Sequence, residues 1–214
     1  MTTPLVSIYI TTKDRYLLLD RAIQSVLNQT WVNTEIIVCD DNSTDGTQDI
    51  LAKYEKQFDN FYWIRNEATM GACVSRNKAI KKAKGEFITG LDDDDYFLPQ
   101  RVELLMKAYD DKYAFVCSTY LRRTHERTRI VNDGIGIIRL EDVLHYNKVG
   151  NQVLTRTQRL IDVGGFDEAL PSFQDYDMWV RLLNKFGNSL KIKEPLYVFD
   201  ISHTSERISG SNER

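Results

Sequence analysis

Apolar residues arrive in short blocks separated by polar clusters, and the blocks alternate between two periodicities. Leu5–Thr11 (LVSIYIT), Glu35–Cys39 (EIIVC), Phe61–Arg65 and Glu86–Leu91 are nearly continuous apolar or β-branched runs, the pattern of buried strands. Between them, apolar positions recur at helical spacing. Leu19, Ala22, Ile23, Val26 and Leu27 form one such set, with Asp14 placed to cap it, and Ile50, Leu51, Tyr54 and Phe58 form another. Ala72–Lys84 reads as a third helix closing on Gly85, with Lys81, Lys82 and Lys84 in its last turn, where cations favour the helix dipole. Pro99 suits the first turn of a fourth amphipathic segment marked by Val102, Leu105, Met106 and Tyr109. This alternation predicts an α/β chain with a mainly parallel, doubly wound sheet flanked by helices.

The second half is less regular. Tyr113–Tyr120, Thr128–Val131, Leu190–Ile192 and Leu196–Phe199 read as strands. Glu141–His145 and Arg159–Val163 read as short helices, and Asp175–Phe186 as a firmer one. No repeat, low-complexity segment or linker interrupts the pattern, so one domain over residues 1–214 is expected. Ligands of such sheets bind outside the carboxyl ends of the strands. Three polar clusters fall at those ends: Thr11-Thr12-Lys13, Asp40-Asp41-Asn42, and the unbroken run Asp92 to Asp95. They should meet at one edge of the sheet.

Composition narrows the function classes. Of 214 residues, 42% are hydrophobic and 11% aromatic, which suits a globular fold, and a net charge of −3 argues against bulk binding to nucleic acid. The three cysteines (Cys39, Cys73, Cys117) form no CxxC and fit a reducing compartment. The N-terminus lacks the features of a signal peptide, and no apolar run approaches the ~18–20 residues of a spanning helix. A cytoplasmic protein is expected, at most peripheral to the cytoplasmic face of the membrane. Arg122, Arg123, Arg127 and Arg129 crowd one stretch, either a solvated basic loop or a contact for anionic headgroups or a carrier diphosphate.

The candidate chemistry lies in the acidic clusters, each of which also has a plain structural reading. Four consecutive carboxylates repel one another. They form either a solvated loop or, fixed between a buried strand and a helix, a site for Mg²⁺ or Mn²⁺ shared with substrate phosphates. Asp40 and Asp41 either cap turns or, at a strand end, accept hydrogen bonds from the imide of a pyrimidine base. Arg76 pairs with a diphosphate or makes a surface salt bridge. Asp175 and Asp177 open a helix, where acids ordinarily complement the dipole, and Trp179 behind them is either core or a sugar platform.

An ordered set of segments then fits a known pattern: VSIYITTKDR, LNQT, EIIVCDDNSTDGT, IRN, SRNKAIKKAKGEF, LDDDD followed by Pro99, GGFDE, and QDYDMW. Each is weak alone. Together, in order and at the family spacing, they resemble glycosyltransferase family 2, the inverting enzymes of GT-A fold. The resemblance implies a nucleotide-sugar-binding half (residues 1–98) and a smaller acceptor-binding half (99–214). It implies that Thr11, Thr12 and Lys13 line the nucleotide pocket, that Asp41 contacts the base with Asp40 nearby, and that Arg76 sits by the diphosphate. Asp92-Asp93-Asp94 matches the Asp-x-Asp element, with Asp94 as metal ligand and Asp92 or Asp93 nearer the ribose; Asp95 leaves the register open by one position. Gly164, Gly165 and Phe166 match the loop shaping the acceptor and donor-sugar side, and Gln174 and Trp179 flank it. Asp175 occupies the place of the catalytic base. His203 matches a position that in some relatives reaches the metal or diphosphate, although a lone histidine also reads as structural.

The chain departs from the pattern at Thr12 and Lys13, and at Gln174, where an acidic residue often precedes the base. It ends soon after His203, without the long C-terminal extension of processive members, so transfer of a single sugar is expected. The implied reaction moves one hexose or N-acetylhexosamine, with a uridine diphosphate as the default carrier, to a saccharide or a lipid-diphosphate-linked acceptor of a surface glycan such as an O-antigen. A non-catalytic nucleotide-sugar-binding module of the same fold is the alternative. A nucleotidylyltransferase would want a glycine-rich loop where TTKDR stands.

Overall fold

A computed structural model describes residues 3–132, 134–150 and 152–203. The first half follows the alternation closely: β1 (Val6–Thr12), α1 (Tyr16–Leu27), β2 (Thr34–Asp40), α2 (Thr47–Gln57), β3 (Phe61–Arg65), α3 (Ala72–Lys82) and β4 (Phe87–Asp92). A two-residue strand, β5 (Tyr96–Phe97), precedes α4 (Arg101–Ala108). The remainder comprises β6 (Val116–Arg123), β7 (Thr128–Val131), β8 (Gly136–Ile138), α5 (Leu140–Val143), β9 (Leu154–Arg156), α6 (Thr157–Asp162), α7 (Gln174–Phe186) and β10 (Ser189–Asp200).

Among the described residues the ten strands join one sheet, in the order β3-β2-β1-β4-β9-β6-β10-β5, with β7 on β6 and β8 on β10. The β1–β2, β1–β4, β2–β3 and β6–β10 pairs are parallel, while β9 runs antiparallel to both β4 and β6. The expected α/β sheet flanked by helices is therefore present: its β3-β2-β1-β4 half is wholly parallel, and β9, β7, β8 and β5 make the other half mixed. Alternate side chains feed two cores. Val6, Ile8 and Ile10 of β1 pack with Leu19 and Ile23 of α1, Leu51 of α2 and Leu105 of α4. Tyr9, Ile37 and Ile88 face the other way, toward Ile80 of α3, Leu160 of α6 and Met178, Trp179 and Leu182 of α7. Burying each such side chain stabilises the fold by about 1.5–3 kcal/mol, which is why these strands carry almost no polar positions.

Three local readings change. Asp14 does not cap α1. Its backbone is left-handed (φ 52°), which turns its carboxylate onto the Thr44 N–H at 2.7 Å. Asp45, from the loop after β2, accepts the first α1 N–H, that of Tyr16, at 3.1 Å instead. Pro99 precedes α4 by two residues rather than opening it. The two closing strands are one, because Pro195, which has no N–H to donate, sits in a bulge that lets β10 run on past it. Strands β5, β8 and β9 were not expected, being two or three residues long and too short to show a period of two.

Candidate active site

The parallel register brings the three polar clusters together. Thr11 lies beside Cys39 on one side and Asp92 on the other, and Thr12 lies beside Asp40. The Thr12 hydroxyl donates to Asp93 at 2.7 Å, and the Asp41 N–H donates to the Thr12 carbonyl at 2.9 Å. Lys13, at the rim, donates to the Thr69 hydroxyl at 2.8 Å.

The acidic run is ordered and largely buried, not a solvated loop: Asp93, Asp94 and Asp95 are each 4% exposed or less. Three arginines offset its charge. Arg15 Nη1 reaches Asp93 at 3.0 Å and Asp94 at 3.2 Å, Arg76 Nη2 reaches Asp92 at 3.0 Å, and Arg21 Nη2 donates to the Asp94 carbonyl at 2.5 Å. Repulsion among the carboxylates therefore does not by itself demand a cation. Burial still pushes the Asp93 carboxyl up to about 6, with Arg15 opposing and Asp94 reinforcing the rise. Asp95 turns inward, accepting the Tyr197 hydroxyl at 2.7 Å and the Asp200 N–H at 2.9 Å.

Asp94 Oδ2 has a second neighbour, His203 Nε2, at 3.6 Å. A carboxylate and an imidazole at that separation offer a divalent cation two protein ligands and leave further positions for phosphate oxygens, so the residues present fit Mn²⁺ or Mg²⁺. Among the described residues, no group of three or more His, Cys, Asp or Glu side chains forms a complete cage.

Across the cleft, Asp175 stands at the start of α7. Arg76 links it to the acidic run, with Nη1 3.4 Å from Asp175 Oδ1 and 2.9 Å from the Gln174 side-chain carbonyl. The Asp175 side chain is 28% exposed, yet its Oδ1 is shut off from solvent and accepts no hydrogen bond. Burial pushes its carboxyl up to about 6; Arg76 opposes the rise and Asp92 adds to it. Arg76 is buried with its guanidinium 5.1 Å over the Phe166 ring, and its two carboxylates hold it charged. Just before this pair, exposed Phe173 adopts a left-handed backbone (φ 59°), an uncommon conformation for a bulky residue.

Just past the end of β2, Asp41 accepts from Asn66 Nδ2 at 2.7 Å, Met70 N–H at 2.8 Å and Gly71 N–H at 2.9 Å. Despite burial, these donors hold its carboxyl below the usual range. Asp40 accepts the Ser43 N–H at 2.9 Å, so the turn-capping reading describes what both aspartates do here. The Gly164-Gly165-Phe166 loop closes on α3. Asn77 clamps Phe166 through its N–H (2.8 Å) and carbonyl (2.9 Å), and a side chain on Gly165, at φ 76°, would meet Asn77 Oδ1 at 2.5 Å. Of the two readings open for Trp179, burial favours core, and Phe166 of the loop packs against it. Phe166 is 2% and Trp179 1% exposed, in T-shaped contact at 6.5 Å, because α7 turns its apolar stripe onto the sheet.

Sequence reasoning missed Arg15, Arg21, Gln152 and Tyr197. Gln152 donates to Asp92 at 3.3 Å and accepts the Tyr9 hydroxyl at 3.2 Å. The need for counter-charge near four carboxylates could have pointed to Arg15. Gln152 and Tyr197 carry no local signal, because they reach the site through sheet pairing alone.

The sequence profile described as "Glycosyl transferase family 2" matches residues 7–168. The chain belongs to glycosyltransferase family 2. It is 34% identical over 218 residues to the putative colanic acid biosynthesis glycosyl transferase WcaA of Escherichia coli K12, covering 97% of this chain and 76% of that protein. S. aureus TarS 1-349 in complex with UDP-GlcNAc superposes with TM-score 0.77 at 20% identity, over 95% of this chain and 60% of the other. The mannosyltransferase PcManGT of Pyrobaculum calidifontis, in complex with GDP-Man and Mn²⁺, gives TM-score 0.71 at 16% identity, over 96% and 59%. At such identities these two likenesses show the fold, which is GT-A. This family 2 chain thus spans about three-fifths of each of those structures. Among its described residues no helix is long and apolar enough to cross a membrane.

Proposed function

We propose that this chain transfers one sugar from a nucleotide-diphosphate sugar, with UDP-hexose or UDP-N-acetylhexosamine as the first candidates, to a saccharide or lipid-diphosphate-linked acceptor, inverting the anomeric carbon. The observation that carries this reading is the guanidinium of Arg76, set between Asp92 at the end of β4 and Asp175 at the start of α7. One buried cation thus joins the acidic run at the end of β4 to a partly exposed carboxylate at the start of α7. The likeness of the fold to proteins solved with UDP-GlcNAc and with GDP-Man and Mn²⁺ supports the donor class.

In this reading residues 1–98 hold the donor and residues 99–214 shape the acceptor side. Thr11, Thr12, Lys13, Asp40 and Asp41 surround the base and ribose, and Asp92 and Asp93 lie toward the ribose and sugar. Asp94, with Asp92 or His203 beside it, holds Mn²⁺ or Mg²⁺, which when bound would offset charge on the departing nucleoside diphosphate. Arg76 adds a fixed positive charge on the same side. Gly164, Gly165 and Gln174 border the sugar. The Asp175 carboxylate, whose side chain is 28% exposed, takes the proton of the acceptor hydroxyl as that oxygen bonds to the anomeric carbon, while the bond to the diphosphate oxygen breaks on the opposite face. A single displacement of this kind turns an α-linked donor into a β-glycoside.

Titration calorimetry with a panel of nucleoside diphosphates, with and without Mn²⁺, tests the donor half. Metal-dependent binding of one nucleotide supports it. Absence of binding to every nucleotide by the folded protein would leave the non-catalytic reading in its place.

A further inference from the structure

The fourth aspartate of the run faces away from the cleft, and its two oxygens hold a different element. Asp95 Oδ1 accepts the Asp200 N–H at 2.9 Å and Oδ2 accepts the Tyr197 hydroxyl at 2.7 Å, so both bonds fall on the last turn of pleat in β10. Arg21 closes the same corner from α1, donating to Asp200 Oδ2 and to the Asp94 carbonyl, both at 2.5 Å, with its guanidinium 4.8 Å over the Tyr96 ring. The chain beyond is tied down residue by residue. Ile201 N–H donates to the Arg123 carbonyl at 2.9 Å, and the Ser202 N–H and hydroxyl donate to Asp200 Oδ1 at 2.9 and 2.6 Å. The next residue is His203, whose Nε2 stands 3.6 Å from Asp94.

We propose that Asp95 and Arg21 are positioning residues that fasten the end of β10 to the acidic run and so set His203 opposite Asp94. This inference rests on the reading of Asp94 as the metal-side residue of a donor site. It assigns Asp95 a contact with β10 in place of one with metal or donor. The physical case is one of reach. Asp94 and His203 are 109 positions apart in sequence and follow different strands, so their approach depends on bonds that fix the end of β10 against the acidic run. Bonds that orient metal ligands without touching the metal typically change affinity by about 10–100-fold when removed.

The test compares the full-length chain with Asp95→Ala, Asp95→Asn, Arg21→Gln, His203→Ala and the double variant Asp95→Ala/His203→Ala. Mn²⁺ affinity is read in the presence of UDP by electron paramagnetic resonance of free Mn²⁺. UDP affinity without metal is read by calorimetry, and folding by thermal melting. Asp95→Ala should weaken Mn²⁺ binding about tenfold or more, with metal-free UDP binding unchanged. Asp95→Asn keeps an acceptor for the Asp200 N–H and should restore most of the affinity. The double variant should lose no more than His203→Ala alone, because the two act through one contact. Should Asp95→Ala fail to fold, Arg21→Gln, at a partly exposed side chain, carries the same expectation. Unchanged Mn²⁺ affinity in the folded variants, or losses that multiply in the double variant, would overturn the proposal. If the unaltered protein shows no metal-dependent UDP binding, the donor-site reading itself fails and takes this inference with it.

Discussion

Asp175 and Arg76 meet by charge alone: the guanidinium lies 3.4 Å from a buried carboxyl oxygen that accepts no hydrogen bond. The arrangement holds the carboxylate in place by charge, with 28% of its side chain exposed to an incoming hydroxyl. A carboxylate that had completed its hydrogen bonds within the protein would have to break one before it could accept a proton from a hydroxyl.

Removing that acceptor should therefore act on turnover. Asp175→Asn is expected to lower kcat by about 10²–10⁴-fold, the usual contribution of a general base, with donor affinity nearly unchanged. Steady-state kinetics beside calorimetry checks this; wild-type turnover in the variant would remove Asp175 from the mechanism.

The raised pKa adds two expectations of known sign. As a base, Asp175 must be ionised, so kcat/KM should climb with pH and level off above about 6. For stability, a carboxyl raised from 3.8 to about 6 binds its proton more tightly folded than unfolded. Its favourable contribution is present below about 4 and is lost as pH rises through about 6. Asp175→Asn, neutral throughout, should gain melting temperature relative to the parent as pH rises from 4 to 7. An equal difference at both ends would exclude the raised pKa.

Chelation by EDTA should abolish transfer, and added Mn²⁺ should restore it. Asp94→Ala should lose both turnover and the metal-dependent part of nucleotide binding, while leaving metal-free binding in place. Full activity in chelator would show that Arg15 and Arg76 suffice without a cation.

Gly90→Ala probes the floor of the site. A methyl group there would stand 2.2 Å from Gln152 Oε1 and 2.4 Å from the Tyr9 ring, so a buried hydrogen bond must yield. Overpacking of this kind costs about 1–3 kcal/mol, read as a lower denaturation midpoint. Because Gln152 also donates to Asp92, activity measured well below that midpoint should fall too.

Much of this was legible in the sequence where local pattern and local chemistry coincide. The four long parallel strands, their three helices and the polar clusters at the strand ends follow from apolar runs and their spacing, and Asp92, Asp175 and Arg76 do converge. What was not legible depends on distant pairing. Strand β9 has three residues, and Gln152 and Tyr197 reach Asp92 across 60 and 105 positions. Burial also decided what spacing left open: Trp179 sits on the inward stripe of α7, and Asp41 spends its acceptors on the loop before α3. Counter-charge was assigned to a metal alone, whereas Arg15, in the turn after β1, shares it.

Strand β9 joins the wholly parallel β3-β2-β1-β4 ladder to the mixed half of the sheet: three residues pair with β4 on one side, and a single residue, Leu154, pairs with Val116 of β6 on the other. Everything between β6 and β9 is outside the ladder that carries Asp92. A change of length in the turn between β6 and β7 would leave the register of β1, β2 and β4 as it stands. The strand ends that carry Thr12, Asp40 and Asp92 thus stay aligned whatever length that turn takes.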